Sequence, residues 1–139
     1  MSVALITGTT KGLGYALANL YLENGSKVIG VSRHKPKIDS EYYYHLVDSV
    51  TNDEIEIKFK DFLDTLNLKK IDVIINNAGT GSYGSRLSQI ETTEIINQVN
   101  LHCVGVLRVL KGAKSYLGNT KIVNITSRLG SIVSAKLTT

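Results

Sequence analysis

The residues best suited to chemistry form a glycine-rich segment, residues 7–14, with the sequence Thr-Gly-Thr-Thr-Lys-Gly-Leu-Gly. An apolar run precedes this segment, and a helical pattern begins within it. Glycines in such a turn permit a tight reversal and a close approach of the backbone to a pyrophosphate, and free N–H groups at the helix start hold phosphates. Glycines also end strands without binding anything, but the placement between a strand and a helix favours a nucleotide. The predicted nucleotide contacts are Gly8, Thr9, Lys11, Gly12, Leu13 and Gly14.

The end of the second predicted strand bears on which dinucleotide is bound. Folds that prefer NAD place an acidic residue there, which accepts hydrogen bonds from the ribose 2′-hydroxyl. This chain has Ser32 and Arg33 instead, and its next acidic residue is Asp39. A hydroxyl and a guanidinium can bind a 2′-phosphate that an acid would repel, and Lys11 adds a second cation. We therefore expect NADP(H) rather than NAD. The alternative is that Arg33 and Lys11 are solvated surface charges.

Two kinds of segment alternate along the chain and must position these residues. Short apolar runs predict strands, and apolar residues at three- and four-residue spacing predict helices. The predicted strands cover residues 3–7, 27–32, 43–47, 71–75 and 121–125, and the predicted helices cover residues 12–23, about 55–66 and about 92–117. This alternation is typical of a parallel sheet with right-handed crossovers. The sequence therefore predicts an α/β fold, a Rossmann-type doubly wound parallel sheet in a single domain.

The helical periodicity also predicts which faces are buried. On the first helix the predicted core residues are Leu13, Ala16, Leu17, Leu20 and Tyr21. On the last helix they are Ile95, Ile96, Val99, Cys103, Val106, Leu107 and Leu110. Cys103 is thus expected to be a small core residue rather than a nucleophile.

Further motifs follow the glycine-rich turn in order. Asn77-Ala78-Gly79 comes after the fourth predicted strand, Asn100 lies in the long helix, and Ser127 follows the fifth strand. Taken alone, Asn100 could be an ordinary buried amide and Ser127 a strand-end cap. Together with the Thr-Gly-x-x-x-Gly-x-Gly spacing, these motifs make nearly the whole chain resemble the single-domain branch of the short-chain dehydrogenases/reductases. The resemblance implies that Ser127 and Asn100 are catalytic, and it implies cofactor contacts for Asn77, Ala78, Gly79 and, at the adenine amino group, Asp48.

The resembled family also uses a tyrosine for proton transfer and a lysine one helical turn later. A free tyrosine has a pKa of about 10, so the nearby positive charge is what lets it act near neutrality. None of the seven tyrosines here has a lysine four residues later, and the family's tyrosine would be due near Thr139. We therefore expect residues 1–139 to be a C-terminally incomplete NAD(P)-binding domain, truncated after the fifth strand and inactive alone. Residues 127–132 are similar to the C-factor and sniffer-like carbonyl reductases.

These observations favour an NADP(H)-dependent oxidoreductase that transfers hydride between nicotinamide and a small carbonyl or alcohol substrate. The alternative is a non-catalytic dinucleotide-binding sensor or interaction module. A relative of the extended branch that acts on nucleotide sugars is disfavoured, because that branch usually spaces its glycines Gly-x-x-Gly-x-x-Gly. The family resemblance implies a homo-oligomer in a complete form.

Composition excludes several other classes of protein. The net charge is +4, but no Lys/Arg cluster is longer than a pair, so we expect no nucleic-acid partner. No apolar run is long enough to cross a membrane, and we expect no signal peptide, because an apolar strand pattern starts at Ser2 with no basic segment before it. Cys103 is the only cysteine, which fits a reducing, cytoplasmic location. The histidines His34, His45 and His102 lack metal-ligand spacing, so no metal is expected.

Overall fold

The computed structural model describes residues 1–80 and 87–127 and contains one sheet of five parallel strands. The strands are β1 (Val3–Thr7), β2 (Lys27–Ser32), β3 (Tyr43–Val47), β4 (Val73–Asn76) and β5 (Lys121–Asn124). Their order across the sheet is β3-β2-β1-β4-β5, with β1 at the centre. The first three strand predictions are confirmed. β4 is displaced towards the C-terminus of the range predicted for it, and β5 ends before Ile125.

The helices lie between consecutive strands, as a doubly wound sheet requires. They are α1 (Gly12–Glu23), α2 (Ile55–Thr65), α3 (Thr92–Val99) and α4 (Gly105–Gly112). The prediction of one continuous helix over residues 92–117 is wrong. A π-helical turn, Asn100–Val104, separates α3 from α4, and α4 ends at Gly112. Each π-turn inserts one residue, roughly 100° of rotation, so apolar positions before and after it do not share one face.

The core has two parts, one on each face of the sheet. On one face, Leu5 of β1 packs in a cluster with Phe59 of α2 and Val109 of α4. On the other face, the adjacent Ile6 packs with Ala18 of α1. Neighbouring residues of a strand point to opposite faces, which is why β1 is apolar from Val3 to Ile6 instead of alternating. Helices on both faces confirm the predicted doubly wound α/β architecture.

The helical faces that pack on the sheet agree only in part with the predicted ones, because Leu17, Tyr21 and Leu110 pack against the core as predicted but other predicted residues do not. In α1 the fully covered residues are the small Gly14 and Ala18, while Leu13 and Leu20 are exposed. In α4 the buried residues are Gly105, Val109 and Gly112. A Cβ on Gly112 would lie 3.0 Å from Phe59 Cδ1, so small residues let α4 and α2 approach closely. Close approach through small residues, rather than the largest apolar side chains, selects these faces.

The predicted apolar stripe around the π-turn is therefore wrong in large part. Four of its aliphatic residues are exposed: Ile95, Ile96, Val99 and Leu107. Cys103 is exposed as well and is not the core residue that its position on the stripe predicted. Within residues 1–80 and 87–127, no helix combines the length and the apolar composition needed to cross a bilayer.

Candidate cofactor-binding and active site

The predicted site residues gather at the carboxyl edge of the sheet. Gly8 follows β1, Asp48 follows β3 and Asn77 follows β4, while Ser32 is the last residue of β2. The chain leaves β1 towards β2 and β3 on one side and later returns to β4 and β5 on the other. Open parallel sheets bind ligands in the crevice at such a switch point, outside the carboxyl ends of the strands. The topology thus brings together residues that are far apart in the sequence.

The turn between β1 and α1 has the backbone geometry that its glycines predict. Gly8 has φ +75°, in the left-handed region where a side chain is disfavoured. A Cβ on Gly14 would lie 2.2 Å from the carbonyl oxygen of Gly8 and 2.5 Å from Asn77 Nδ2. The first turn of α1 therefore touches the turn that precedes it. No side chain caps this helix start, and its first turn carries no acidic residue, so its N–H groups suit an anion.

Thr7 and Asn77 hold this turn against the loop that follows β4. The Thr7 hydroxyl oxygen accepts hydrogen bonds from the backbone N–H groups of Asn77, at 3.0 Å, and Ala78, at 2.9 Å. In return, Asn77 Nδ2 donates to the carbonyl oxygens of Thr7 and Gly8, both at 3.1 Å. The sequence reasoning assigned no role to Thr7. The available signal was a threonine that ends an otherwise apolar strand directly before a glycine.

The adjoining residues of this loop contact the π-turn. A Cβ on Gly79 would lie 2.5 Å from His102 Cε1, so the imidazole lies directly over this glycine. His102 Nε2 is 3.2 Å from the carbonyl oxygen of Thr80. The Asn77-Ala78-Gly79 segment is therefore held at both ends, by β1 through Thr7 and by the helical segment through His102.

At the other end of the crevice, Ser32 is engaged by the protein itself. Its hydroxyl donates to the carbonyl oxygen of His34 and accepts from Thr10 Oγ1, both at 2.9 Å. Arg33 and Lys11, the predicted phosphate-binding cations, are exposed near these residues in the sequence. The end of β2 thus carries the nearly buried hydroxyl of Ser32, followed by the exposed cation Arg33. It carries no carboxylate.

Around Ser32 lies a set of buried and partly buried polar side chains that the sequence motifs do not indicate. The Tyr43 hydroxyl lies 2.9 Å from Thr9 Oγ1 and 2.8 Å from His45 Nδ1. His45 Nε2 lies 3.3 Å from the carbonyl oxygen of Ser32 and 3.4 Å from its hydroxyl. We call Thr9, Thr10, Ser32, Tyr43 and His45 the Ser32 network. For Tyr43 and His45 the sequence predicts only that they belong to the strand over residues 43–47.

Burial shifts both titratable groups of the Ser32 network. Burial raises the pKa of Tyr43 to about 12, although its hydrogen bond with Thr9 acts in the opposite direction. Burial lowers the pKa of His45, and the positive charge of Lys35 lowers it further, against the hydrogen bond to the Ser32 backbone. Both side chains are therefore neutral at neutral pH.

Asp48 is held in position after β3. Its carboxylate accepts hydrogen bonds from the Ser49 N–H, at 2.7 Å, and from Asn52 Nδ2, at 3.0 and 3.3 Å. Lys58 Nζ lies 3.8 Å away. These contacts orient the side chain that the family resemblance assigns to the adenine amino group.

The predicted catalytic residues, Asn100 and Ser127, come after β4 and after β5 in the chain. Asn100 begins the π-turn, and its amide oxygen accepts a hydrogen bond from Arg108 Nη1 at 2.7 Å. Arg108 also donates to the carbonyl oxygen of Val50, at 3.2 Å, and pairs with Asp53. Arg108 thereby connects Asn100 to the loop after β3, a contact that no sequence motif predicted.

A cleft of about 330 Å³ opens beside the π-turn, lined by Asn76, Ala78, His102, Cys103, Val106, Asn124, Ile125 and Thr126. Asn76 Nδ2 donates to Asn124 Oδ1 at 2.8 Å, which joins the ends of β4 and β5 at this cleft. Ser127 directly follows Thr126 and is exposed. The rest of the segment similar to the sniffer-like reductases, residues 128–132, and Tyr83 lie outside the described residues.

Comparison with known proteins finds one family along almost the entire chain. The family model described as short chain dehydrogenase matches residues 2–139. A benzil reductase that forms (S)-benzoin, from Bacillus subtilis, is 33% identical over 134 residues, which are 91% of this chain and 55% of the relative. The chain spans about half the length of the curated relatives it matches.

Solved structures share the fold. The aldohexose dehydrogenase of Thermoplasma acidophilum, in its ligand-free form, superposes with a TM-score of 0.80 and 31% identity, over 94% of this chain and 51% of that one. The Sniffer protein of Caenorhabditis elegans superposes with a TM-score of 0.84 at 22% identity, over 98% of this chain and 67% of that one. The latter likeness concerns the fold alone.

Proposed function

Because the chain belongs to the short-chain dehydrogenase/reductase family, we propose that it binds NADP(H) and serves hydride transfer between the nicotinamide and a small carbonyl or alcohol. The observation that carries the dinucleotide proposal is the contact between α1 and the glycine turn at the switch point of the sheet. There, a Cβ on Gly14 would fall 2.2 Å from the oxygen of Gly8. Such a turn leaves backbone N–H groups accessible to a pyrophosphate.

The charges at the adenosine end support the preference for NADP(H). The end of β2 carries the hydroxyl of Ser32 in place of an acid, and Arg33 and Lys11 are exposed cations. A guanidinium forms charge-assisted hydrogen bonds with a phosphate, whereas a ribose hydroxyl offers no charge to it. We propose that Arg33 and Lys11 contact the 2′-phosphate and that Asp48 contacts the adenine.

The residues at the ends of β4 and β5 support a role for this chain in the reaction. We propose that Asn77, Ala78 and Gly79 border the bound cofactor, which supplies or accepts the hydride. The Ser127 hydroxyl would orient the substrate oxygen by a hydrogen bond, and Asn100 would help to position the proton-transfer groups. The 139 residues contain no Tyr-x-x-x-Lys pair, so the proton donor of this mechanism is not among them.

A glycine substitution with a matched control tests the dinucleotide site. Gly14→Ala places a Cβ where it must displace the turn or Asn77, whereas a Cβ on Gly118 meets nothing within 4 Å. We expect Gly14→Ala to weaken NADPH and NADH together in calorimetric titrations, while Gly118→Ala binds both as the wild type does. Binding to Gly14→Ala at wild-type affinity would reject this site.

An open reading frame that encodes Tyr-x-x-x-Lys beyond the codon for Thr139 would favour the enzyme over a non-catalytic sensor or interaction module.

A further inference from the structure

The Ser32 network lies beneath the adenosine end of the proposed site. We propose that His45, as a specificity-determining residue, makes the Ser32 hydroxyl a hydrogen-bond donor to the cofactor and thereby favours a 2′-phosphate over a 2′-hydroxyl. This inference rests on the proposed NADP(H) site and concerns residues behind it. It is carried by the positions of the hydrogen-bonding atoms in the network.

The surroundings of His45 decide which of its nitrogens carries the hydrogen. Its Nε2 lies 3.3 Å from the carbonyl oxygen of Ser32, an atom that can only accept. If Nε2 of the neutral imidazole had no hydrogen, its lone pair would face a lone pair of the Ser32 carbonyl oxygen, which is repulsive. Nε2 therefore carries the hydrogen, and Nδ1 accepts a hydrogen bond. Tyr43, 2.8 Å from Nδ1, is the available donor, and its own oxygen can accept from Thr9 at 2.9 Å. His45 therefore directs a donor towards Ser32.

The hydrogen bonds of Ser32 can rearrange when a 2′-phosphate binds, because His45 Nε2–H can serve as a donor to its hydroxyl oxygen. In the structure the Ser32 hydroxyl donates to the carbonyl oxygen of His34. Thr10 Oγ1 lies 2.8 Å from the same carbonyl oxygen, so Thr10 can replace Ser32 as its donor. The Ser32 oxygen can then accept from His45 Nε2, 3.4 Å away, and turn its own proton to a phosphate oxygen. The Ser32 carbonyl oxygen then gives up the His45 N–H but keeps the Asp48 N–H, 3.2 Å away, so no polar group is left without a partner.

The same arrangement suits a ribose 2′-hydroxyl less well. A phosphate oxygen only accepts hydrogen bonds, whereas a hydroxyl also has a proton to place. After the exchange, Nε2–H of His45 occupies one of the two lone pairs of the Ser32 hydroxyl oxygen, so this oxygen offers less to that proton. In a site that prefers NAD, a carboxylate accepts the proton of the 2′-hydroxyl, because both of its oxygens are acceptors.

Thr9, Ser32 and Tyr43 form the buried part of the network, while Thr10 and His45 are partly buried. Thr9 is fully buried and Tyr43 is 8% exposed. A Cβ on Gly30 of β2 would lie 2.1 Å from the Tyr43 hydroxyl, 2.7 Å from Thr9 Oγ1 and 2.9 Å from His45 Nδ1. Only glycine at this position leaves space for the three polar groups.

A pair of substitutions at residue 45 tests the proposal. His45→Leu removes both ring nitrogens, whereas His45→Gln can place an amide N–H near the position of Nε2. Calorimetric titrations with NADPH and with NADH give the preference of each variant. We expect the NADPH preference to fall by about threefold to tenfold in His45→Leu, the size of one net hydrogen bond. We expect it to persist in His45→Gln, with the NADH affinity unchanged in both.

The possible outcomes separate this inference from the proposed function. A wild-type protein without NADPH preference would overturn the proposed cofactor, and this inference with it. A wild-type preference that His45→Leu leaves intact would overturn this inference alone, as would equal weakening of both cofactors or an equal loss in His45→Gln. If His45→Leu does not fold, His45→Phe takes its place, because it keeps a ring, removes both ring nitrogens and should lower the NADPH preference in the same way.

Discussion

Thr7 should contribute more to the free energy of unfolding than its small side chain suggests, because two backbone N–H groups donate hydrogen bonds to its hydroxyl. Thr7→Val keeps the shape of a side chain that is 2% exposed and removes the acceptor of the Asn77 and Ala78 N–H groups. A buried donor without a partner costs about 1–3 kcal/mol. Asn77 and Ala78 are only partly buried, so the lower half of that range applies to each. We therefore expect Thr7→Val to lower the free energy of unfolding by about 2–4 kcal/mol.

Thr7→Ser is the matched control, because it keeps the acceptor and removes one methyl group. Its expected cost is about 1 kcal/mol. Urea unfolding followed by circular dichroism measures both variants, since the chain has no tryptophan. Thr7→Val should also weaken NADPH and NADH alike, because it releases the loop after β4 from the turn. Equal free energies of unfolding for the two variants would refute the argument that the hydroxyl holds this loop.

Three further predictions concern charge, pH and catalysis. Arg33→Ala should weaken NADPH by about 1.5–3 kcal/mol and leave NADH nearly unchanged in calorimetry, and equal losses would show that Arg33 does not contact the 2′-phosphate. Because the pKa of His45 is lowered on folding, the folded state binds fewer protons, and stability should fall as pH drops below about 6.5. Urea unfolding should show a smaller fall in His45→Gln; identical pH profiles would contradict this reasoning. Residues 1–139 mixed with NADPH and a small carbonyl should show no NADPH oxidation by absorbance, and a rate that Ser127→Ala abolishes would contradict this expectation.

The local patterns that the sequence contains were sufficient for the strands and for the glycine turn. β1, β2 and β3 follow from short apolar runs, because a strand buried on both faces needs apolar residues throughout. The turn at Gly8 follows from the placement of glycines between a strand and a helix, and its left-handed φ agrees with that reasoning. The order of the motifs was likewise enough to indicate the family. These features depend on neighbours within a few residues or on a fixed order along the chain.

Helix faces were predicted less well, because periodicity does not reveal which partner a helix meets. A regular 3.6-residue period was assumed across Asn100, where the π-turn changes the phase. The surfaces that pack are those with Gly14, Gly105 and Gly112, since contact at short range requires small side chains there. The sequence contains an apolar stripe around Cys103, but most of its residues are exposed in the described part of the structure.

By itself, the sequence determined the alternation of strands and helices, the family and the segments that line the crevice. Only the tertiary structure decided which side chains complete the site. Thr7 meets Asn77 across 70 positions of sequence, and Thr9 meets Tyr43 across 34. Such hydrogen bonds require atoms within about 3 Å, and that precision comes from strand pairing and helix packing rather than from residue type. The order of the parallel strands brings these residues together, and the burial that follows gives Tyr43 and His45 their shifted pKa values.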